Sequence, residues 1–117
     1  MEKIFEQGLL YDFYGELLTE HQRSIYEDAV FNDMSLGEIA EERGISRQGV
    51  HDLIKRCDRI LLEYESKLHL VERFAKAKEK IGAIERLTCV EEAESVEQAA
   101  GRMEEIRNLA QELLEEL

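Results

Sequence analysis

A helix can stop and restart within three residues only under two conditions. The chain must offer a residue content with positive φ, and then at once a side chain that caps a new helix. Gly44-Ile45-Ser46 meets both. Upstream, Ser35 with Glu38 three residues later has the reciprocal pattern of a capping box, and Leu36, Ile39 and Ala40 form the inward face of the short helix it starts. Downstream, Val50, Leu53, Ile54, Cys57, Ile60, Leu61, Tyr64 and Leu68 recur at three- and four-residue steps, with no stop signal before about residue 68. Ala40 is small enough for a close helix crossing. The spacing therefore predicts a helix-turn-helix over Ser35 to Arg59.

The flanking segments read as helix too. Leu9, Leu10, Phe13, Tyr14 and Leu17 share one stripe; Thr19 with Gln22 is a second capping box, and Ile25, Tyr26, Ala29 and Val30 form the inner face of the helix it opens, up to a turn at Asn32-Asp33. Beyond the long fourth helix, Leu70, Phe74, Ala77, Ile81 and Ile84 continue in four-three alternation. Thr88 with Glu91 and Ser95 with Gln98 are both capping pairs, which places a break between Glu85 and Ser95. The final stretch is the most regular: Val96, Ala99, Met103, Ile106, Ala110, Leu113 and Leu117 alternate three and four apart, an a/d seam over three heptads. The chain has no proline and no β-branched runs bounded by turns, so it is expected to be all-α. Its 117 residues suffice for one modest domain with an appendage. The expected division is a helix-turn-helix domain at 1–69, with motif 35–59, and amphipathic acidic helices at 70–117. Those helices either pack on the domain or form a dimer seam, and a homodimer is the preferred reading.

Charge limits what such a chain can do. The net charge is −12, and phosphate backbones repel an acidic protein unless its cations are concentrated. Between Arg43 and Arg59 there are five cations against Asp52 and Asp58, a local balance of +3, whereas residues 87–117 carry nine glutamates against Arg102 and Arg107. The acidity is partly segregated into the tail. Cys57 and Cys89 form no paired motif, and His21, His51 and His69 stand at no zinc-ligand spacing from them, so neither metal nor cofactor is expected. There is no phosphate-binding glycine loop, no Ser/His/Asp set and no carboxylate cluster with a reason to be buried. The chain is read as non-enzymatic, with no small-molecule ligand in view. No segment is apolar for the length of a membrane span and no signal-peptide core follows Met1-Glu2-Lys3, so a cytoplasmic protein is expected.

Within the helix-turn-helix, Arg47, Gln48, His51 and Lys55 stand on or near the outward face of the second helix and are the candidate base contacts. Arginine and glutamine can donate bidentate bonds to guanine and adenine edges in a major groove. Arg43, Ser46 and Arg56 are the candidate phosphate contacts. Asp52 interrupts this face.

Three runs point to a family. They are Leu10-Tyr11-Asp12-Phe13-Tyr14-Gly15-Glu16-Leu17-Leu18-Thr19-Glu20, then Ser35-Leu36-Gly37-Glu38-Ile39-Ala40-Glu41-Glu42-Arg43-Gly44-Ile45-Ser46-Arg47-Gln48-Gly49-Val50, and Glu63-Tyr64-Glu65-Ser66-Lys67-Leu68. Together they resemble the YlxM family of bacterial helix-turn-helix proteins, closely over the first 70 residues or so and in kind over the acidic tail. The second run alone also resembles sigma-factor region 4, but the chain is too short for the separate domain with which a sigma factor melts its promoter. The YlxM resemblance implies a six-helix type of all-α fold and a small cytoplasmic regulatory protein. It also implies a place in the signal recognition particle pathway, because the family's genes lie beside those of the particle's GTPase components. Two functions follow as expectations: a dimeric DNA-binding regulator, or a protein-interaction module that touches the particle's GTPase or RNA without binding DNA.

Overall fold

The computed structural model describes residues 3–89 and 93–117. It is all-helical over these residues: α1 (Lys3–Tyr14), a 3₁₀ turn (Gly15–Leu17), α2 (Glu20–Val30), α3 (Leu36–Arg43), α4 (Arg47–Leu68), α5 (Leu70–Thr88) and α6 (Val96–Glu116). The expected starts are present. Thr19, Ser35 and Ser95 each close a capping box with the residue three places on, and the Ser46 side chain accepts from the Gly49 N–H. Of the two possible caps for the last helix, Ser95 is the one used. Thr88 ends α5, its hydroxyl bonded back to the Glu85 carbonyl at 2.7 Å, and its supposed partner Glu91 lies outside the described residues.

The chain divides into two units, Met1–Val71 and Glu72–Leu117. The first has a core in two clusters. Leu10, Tyr14, Leu18, Tyr26, Cys57 and Leu61 pack beneath α1, while Ile25, Ile39, Ala40 and Val50 pack beneath α3. Leu53 and Ile54 touch both clusters, so α4 is the spine on which the other helices lie. Each large side chain removed from water here contributes about 1.5–3 kcal/mol.

One position in the α1 stripe differs from the periodic reading: Leu17 is 55% exposed and Leu18 is buried in its place. The chain tightens into a 3₁₀ turn after Tyr14, and at three residues per turn the α-helical phase is lost. The tightening accompanies a close approach. A side chain at Gly15 would begin 2.8 Å from the Tyr11 ring. The end of α4 also lacks a sequence signal, because His69 takes the left-handed conformation (φ 56°) usually left to glycine. The first turn of α5 is met by side chains instead. The Leu70 N–H donates to the Tyr14 hydroxyl (3.1 Å), the Val71 N–H donates to Glu65 Oε1 (3.0 Å), and the Tyr14 hydroxyl itself donates to Glu65 Oε1 (2.5 Å).

The second unit contains most of α5 and all of α6, running antiparallel. Lys80 pairs with Glu112 and Glu116, and Arg102 donates to the Leu87 carbonyl and pairs with Glu94. Neither helix has a buried residue. The half-covered positions of α6 are Ala99, Arg102, Ile106, Leu109 and Leu113. Three seam residues, Ala99, Ile106 and Leu113, are therefore half-covered within the unit, whereas Val96, Met103, Ala110 and Leu117 are exposed. On α5, Phe74 and Ile81 are exposed while Ala77, Lys80, Ile84 and Leu87 are half-covered.

Candidate nucleic-acid interface

The turn between α3 and α4 is built from three backbone decisions. Gly44 sits at φ 68°, its N–H bonded to the Ala40 carbonyl, and the Ile45 N–H reaches the same carbonyl at 3.1 Å. Ser46 then turns extended (ψ 156°), and its side-chain oxygen takes the Gly49 N–H at 2.9 Å. A Cβ at position 49 would meet that oxygen at 3.1 Å, so glycine leaves the cap uncrowded. With Val50, Cys57 and Leu61 fully buried on one side of α4, helical periodicity sends Gln48, Asp52, Lys55 and Arg59 to the opposite side, where all four are exposed.

The expected contact residues fall into three situations. Arg43 is held inside the fold: Nη2 donates to Ser24 Oγ (2.6 Å) and Asp28 Oδ2 (2.8 Å), bracing α3 on α2. Its Nε is buried and has no hydrogen-bond partner among the described residues. The Asp28 carboxyl also accepts from Asn32, and Asn32 and then Arg43 hold it below the ordinary carboxylate range. Gln48 and His51 form a small assembly around Asp52. Gln48 Nε2 donates to Asp52 Oδ1 at 2.9 Å, and His51 Nδ1 lies 3.6 Å from the same oxygen. Arg47, Ser46, Lys55 and Arg56 are exposed. The Arg47 guanidinium lies across the start of α3, with Nε 3.6 Å from where a Cβ of Gly37 would be.

Asp52 thus acts on the exposed side of α4 in two ways. It lowers the local positive charge, and it orients the Gln48 and His51 side chains. Ser46 uses its oxygen as an acceptor for the cap, which leaves the hydroxyl proton for a phosphate. Arg59, four residues beyond Lys55 and eleven beyond Gln48, extends the same exposed stripe beyond the expected contact residues.

A protein-family model described as "Putative helix-turn-helix protein, YlxM / p13 like" matches residues 1–106. Among curated relatives, the UPF0122 protein of Acetivibrio thermocellus is 44% identical over 91% of this chain and 97% of its own length. A UPF0122 protein of Thermoanaerobacter sp. is 44% identical over 90% and 91%, and one of Bacillus thuringiensis is 44% identical over 79% and 84%.

Proposed function

The chain belongs to the YlxM/p13-like family of helix-turn-helix proteins, and on that premise we propose that it is a DNA-binding regulator that reads a duplex through the N-terminal half of α4. One observation carries the proposal: immediately after a capped glycine turn, α4 exposes Arg47, Gln48, His51 and Lys55, residue types able to bond base edges, while its other side is sealed in the core. Ser46 and Arg56 supply phosphate contacts. Arg43 contributes by fixing α3 rather than by reaching outward, since its guanidinium is engaged by Ser24 and Asp28. The exposed part of the α6 seam, Val96, Met103, Ala110 and Leu117, is the surface on which two copies pair, so that two reading helices meet successive turns of DNA. No helix among the described residues is long and apolar enough to cross a membrane. We place the protein in the cytoplasm, acting without catalysis.

The test is fluorescence anisotropy on duplex DNA from the protein's own operon, titrated at several salt concentrations. Binding should weaken steeply with salt, and Arg47→Ala with Gln48→Ala should reduce it at least tenfold. No binding by the wild type at low salt, or unchanged binding by the double variant, rejects the proposal. Asp52→Asn should tighten non-specific binding, because it removes a carboxylate from the face that meets phosphate.

A second reading is favoured by the second unit. Phe74, Ile81, Met103 and Leu114 are all about half exposed or more, on helices whose C-terminal part is rich in glutamate. Such a surface suits a basic protein or RNA-bearing partner, and in this reading the module touches the GTPase or RNA of the signal recognition particle. Calorimetric titration with each component decides it, and no heat with either removes it.

A further inference from the structure

Beside the reading stripe, α1 and α4 enclose an open cleft of about 440 Å³. Three cations from two helices converge on it: Lys3 from the first turn of α1, and Lys55 and Arg59 one turn apart on α4. Its apolar lining is buried Leu10 and half-exposed Leu62. Two carboxylates also border the cleft, Glu6 and Asp58. Asp58 already accepts Gln7 Nε2 (2.9 Å) and the Tyr26 hydroxyl (2.6 Å), so it is occupied by the fold.

We propose that this cleft is a phosphate-binding site in which Lys3, Lys55 and Arg59 grip one phosphate group. Three donors arriving from two helices suit a tetrahedral oxyanion with three acceptor oxygens better than a planar carboxylate with two. The crowding of cations points the same way. The neighbouring Lys3 ammonium holds Lys55 below its ordinary pKa, a like-charge strain that a bound anion relieves. Position along α4 supplies a third argument. At about 1.5 Å per residue, Arg59 lies roughly 16 Å beyond Gln48, more than the roughly 12 Å width of a major groove. A helix whose first turns reach bases therefore brings Arg59 to the flanking backbone, with Lys55, roughly 10 Å beyond Gln48, at the edge of the groove between bases and backbone. The same phosphate chemistry could come from a free nucleotide, with Leu10 and Leu62 as the apolar lining its base would meet. Only the duplex source rests on the DNA-binding reading.

The experiment compares the full-length wild type with Lys3→Gln/Arg59→Gln and with the charge-preserving Lys3→Arg/Arg59→Lys, neither residue being one of the base contacts. Each is titrated with operon duplex at several salt concentrations, and with adenosine 5′-monophosphate and adenosine followed by ¹H–¹⁵N spectra. If the phosphate belongs to a duplex, the neutral variant should bind about tenfold more weakly at 0.1 M salt and its log–log salt slope should fall by about 1. The charge-preserving variant should restore both. If the source is a free nucleotide, the monophosphate but not adenosine should shift the amides of Lys3, Lys55 and Arg59, and the neutral variant should lose those shifts. That result keeps the site even where the wild type binds no duplex and the DNA-binding reading fails. The inference is overturned if the neutral variant matches the wild type with duplex and with nucleotide, or if the wild type binds neither.

Discussion

The two units of this chain are built from the same kind of material and reach different ends. Up to Val71, four long or short helices and a 3₁₀ turn bury ten apolar side chains among the described residues, seven of them large and almost wholly sealed. From Glu72 onward, two long helices run side by side and bury none among the described residues. Both regions are capped with equal care: Ser95 closes the same box as Thr19 and Ser35. Local helix signals therefore do not separate them. What separates them is whether a third helix exists to cover the apolar face. In the first unit α4 serves α1, α2 and α3 at once; within the second unit α5 and α6 pair with each other, and Ile81, Met103 and Leu114 stay more than half exposed. A region in that state holds its secondary structure by capping, ion pairs and half-covered contacts, and leaves apolar surface on which a further element can pack.

The largest way to break this comparison is a pair of matched truncations. Ile39→Ala, at a site with no exposure, should cost about 2–5 kcal/mol in urea-denaturation stability, whereas Ile81→Ala, more than half exposed, should change it by less than about 0.5 kcal/mol. A large loss at Ile81 in dilute solution would show that the second unit is already covered. Next in size is Gly15→Ala, which drives a methyl group against the Tyr11 ring and should cost about 1–3 kcal/mol by the same measurement. Alkali offers a third way to sharpen the contrast. Burial, and then the Asp58 charge, push the Cys57 thiol up to about 11, so the folded state keeps its proton where the unfolded chain has lost it. Stability from this group is whole below about pH 8.5 and is lost as pH rises toward 11. Cys57→Ala should flatten that alkaline limb, while Cys89→Ala, at an exposed site, should leave it in place. The smallest effect belongs to the cap of α6. Ser95→Ala should cost about 1 kcal/mol, seen as reduced helix content in circular dichroism with the first unit's cooperative transition unmoved.

The legible part of the fold was the part written in short-range chemistry. Four serine or threonine caps, the glycine at 44 and the turn at Asn32-Asp33 can each be read from a window of a few residues, because each is a backbone requirement met locally. Membership of the YlxM/p13-like family was legible for the same reason, through runs of adjacent residues. Features that depend on the third dimension were not legible. Nothing near Leu17 announces the 3₁₀ turn, which answers to a ring four residues back. The stop at His69 carries no glycine or asparagine; its neighbours are held by Tyr14 and Glu65, one of them more than fifty residues away. On α6, hydrophobic spacing marks a stripe through Met103, while the half-covered stripe includes Arg102, whose guanidinium finds the Leu87 carbonyl. In the candidate interface, residue types and spacing located the exposed side of α4. They could not show that Arg43 is spent on Ser24 and Asp28, or that Lys3 completes a cluster with Lys55 and Arg59.

The close fit of Gly15 under the Tyr11 ring bears on how such proteins are recognised at all. The run around Asp12-Phe13-Tyr14-Gly15 singles out the family, and its members here serve architecture: Tyr11 and Gly15 interlock, and Tyr14 ties α1 to the ends of α4 and α5. None of these residues touches the exposed side of α4. A signature of this kind diagnoses ancestry and shape. A chain with this fold and a different ligand would still need Tyr11, Tyr14 and Gly15 in these places, so the run speaks for shape and the exposed side of α4 for what is held.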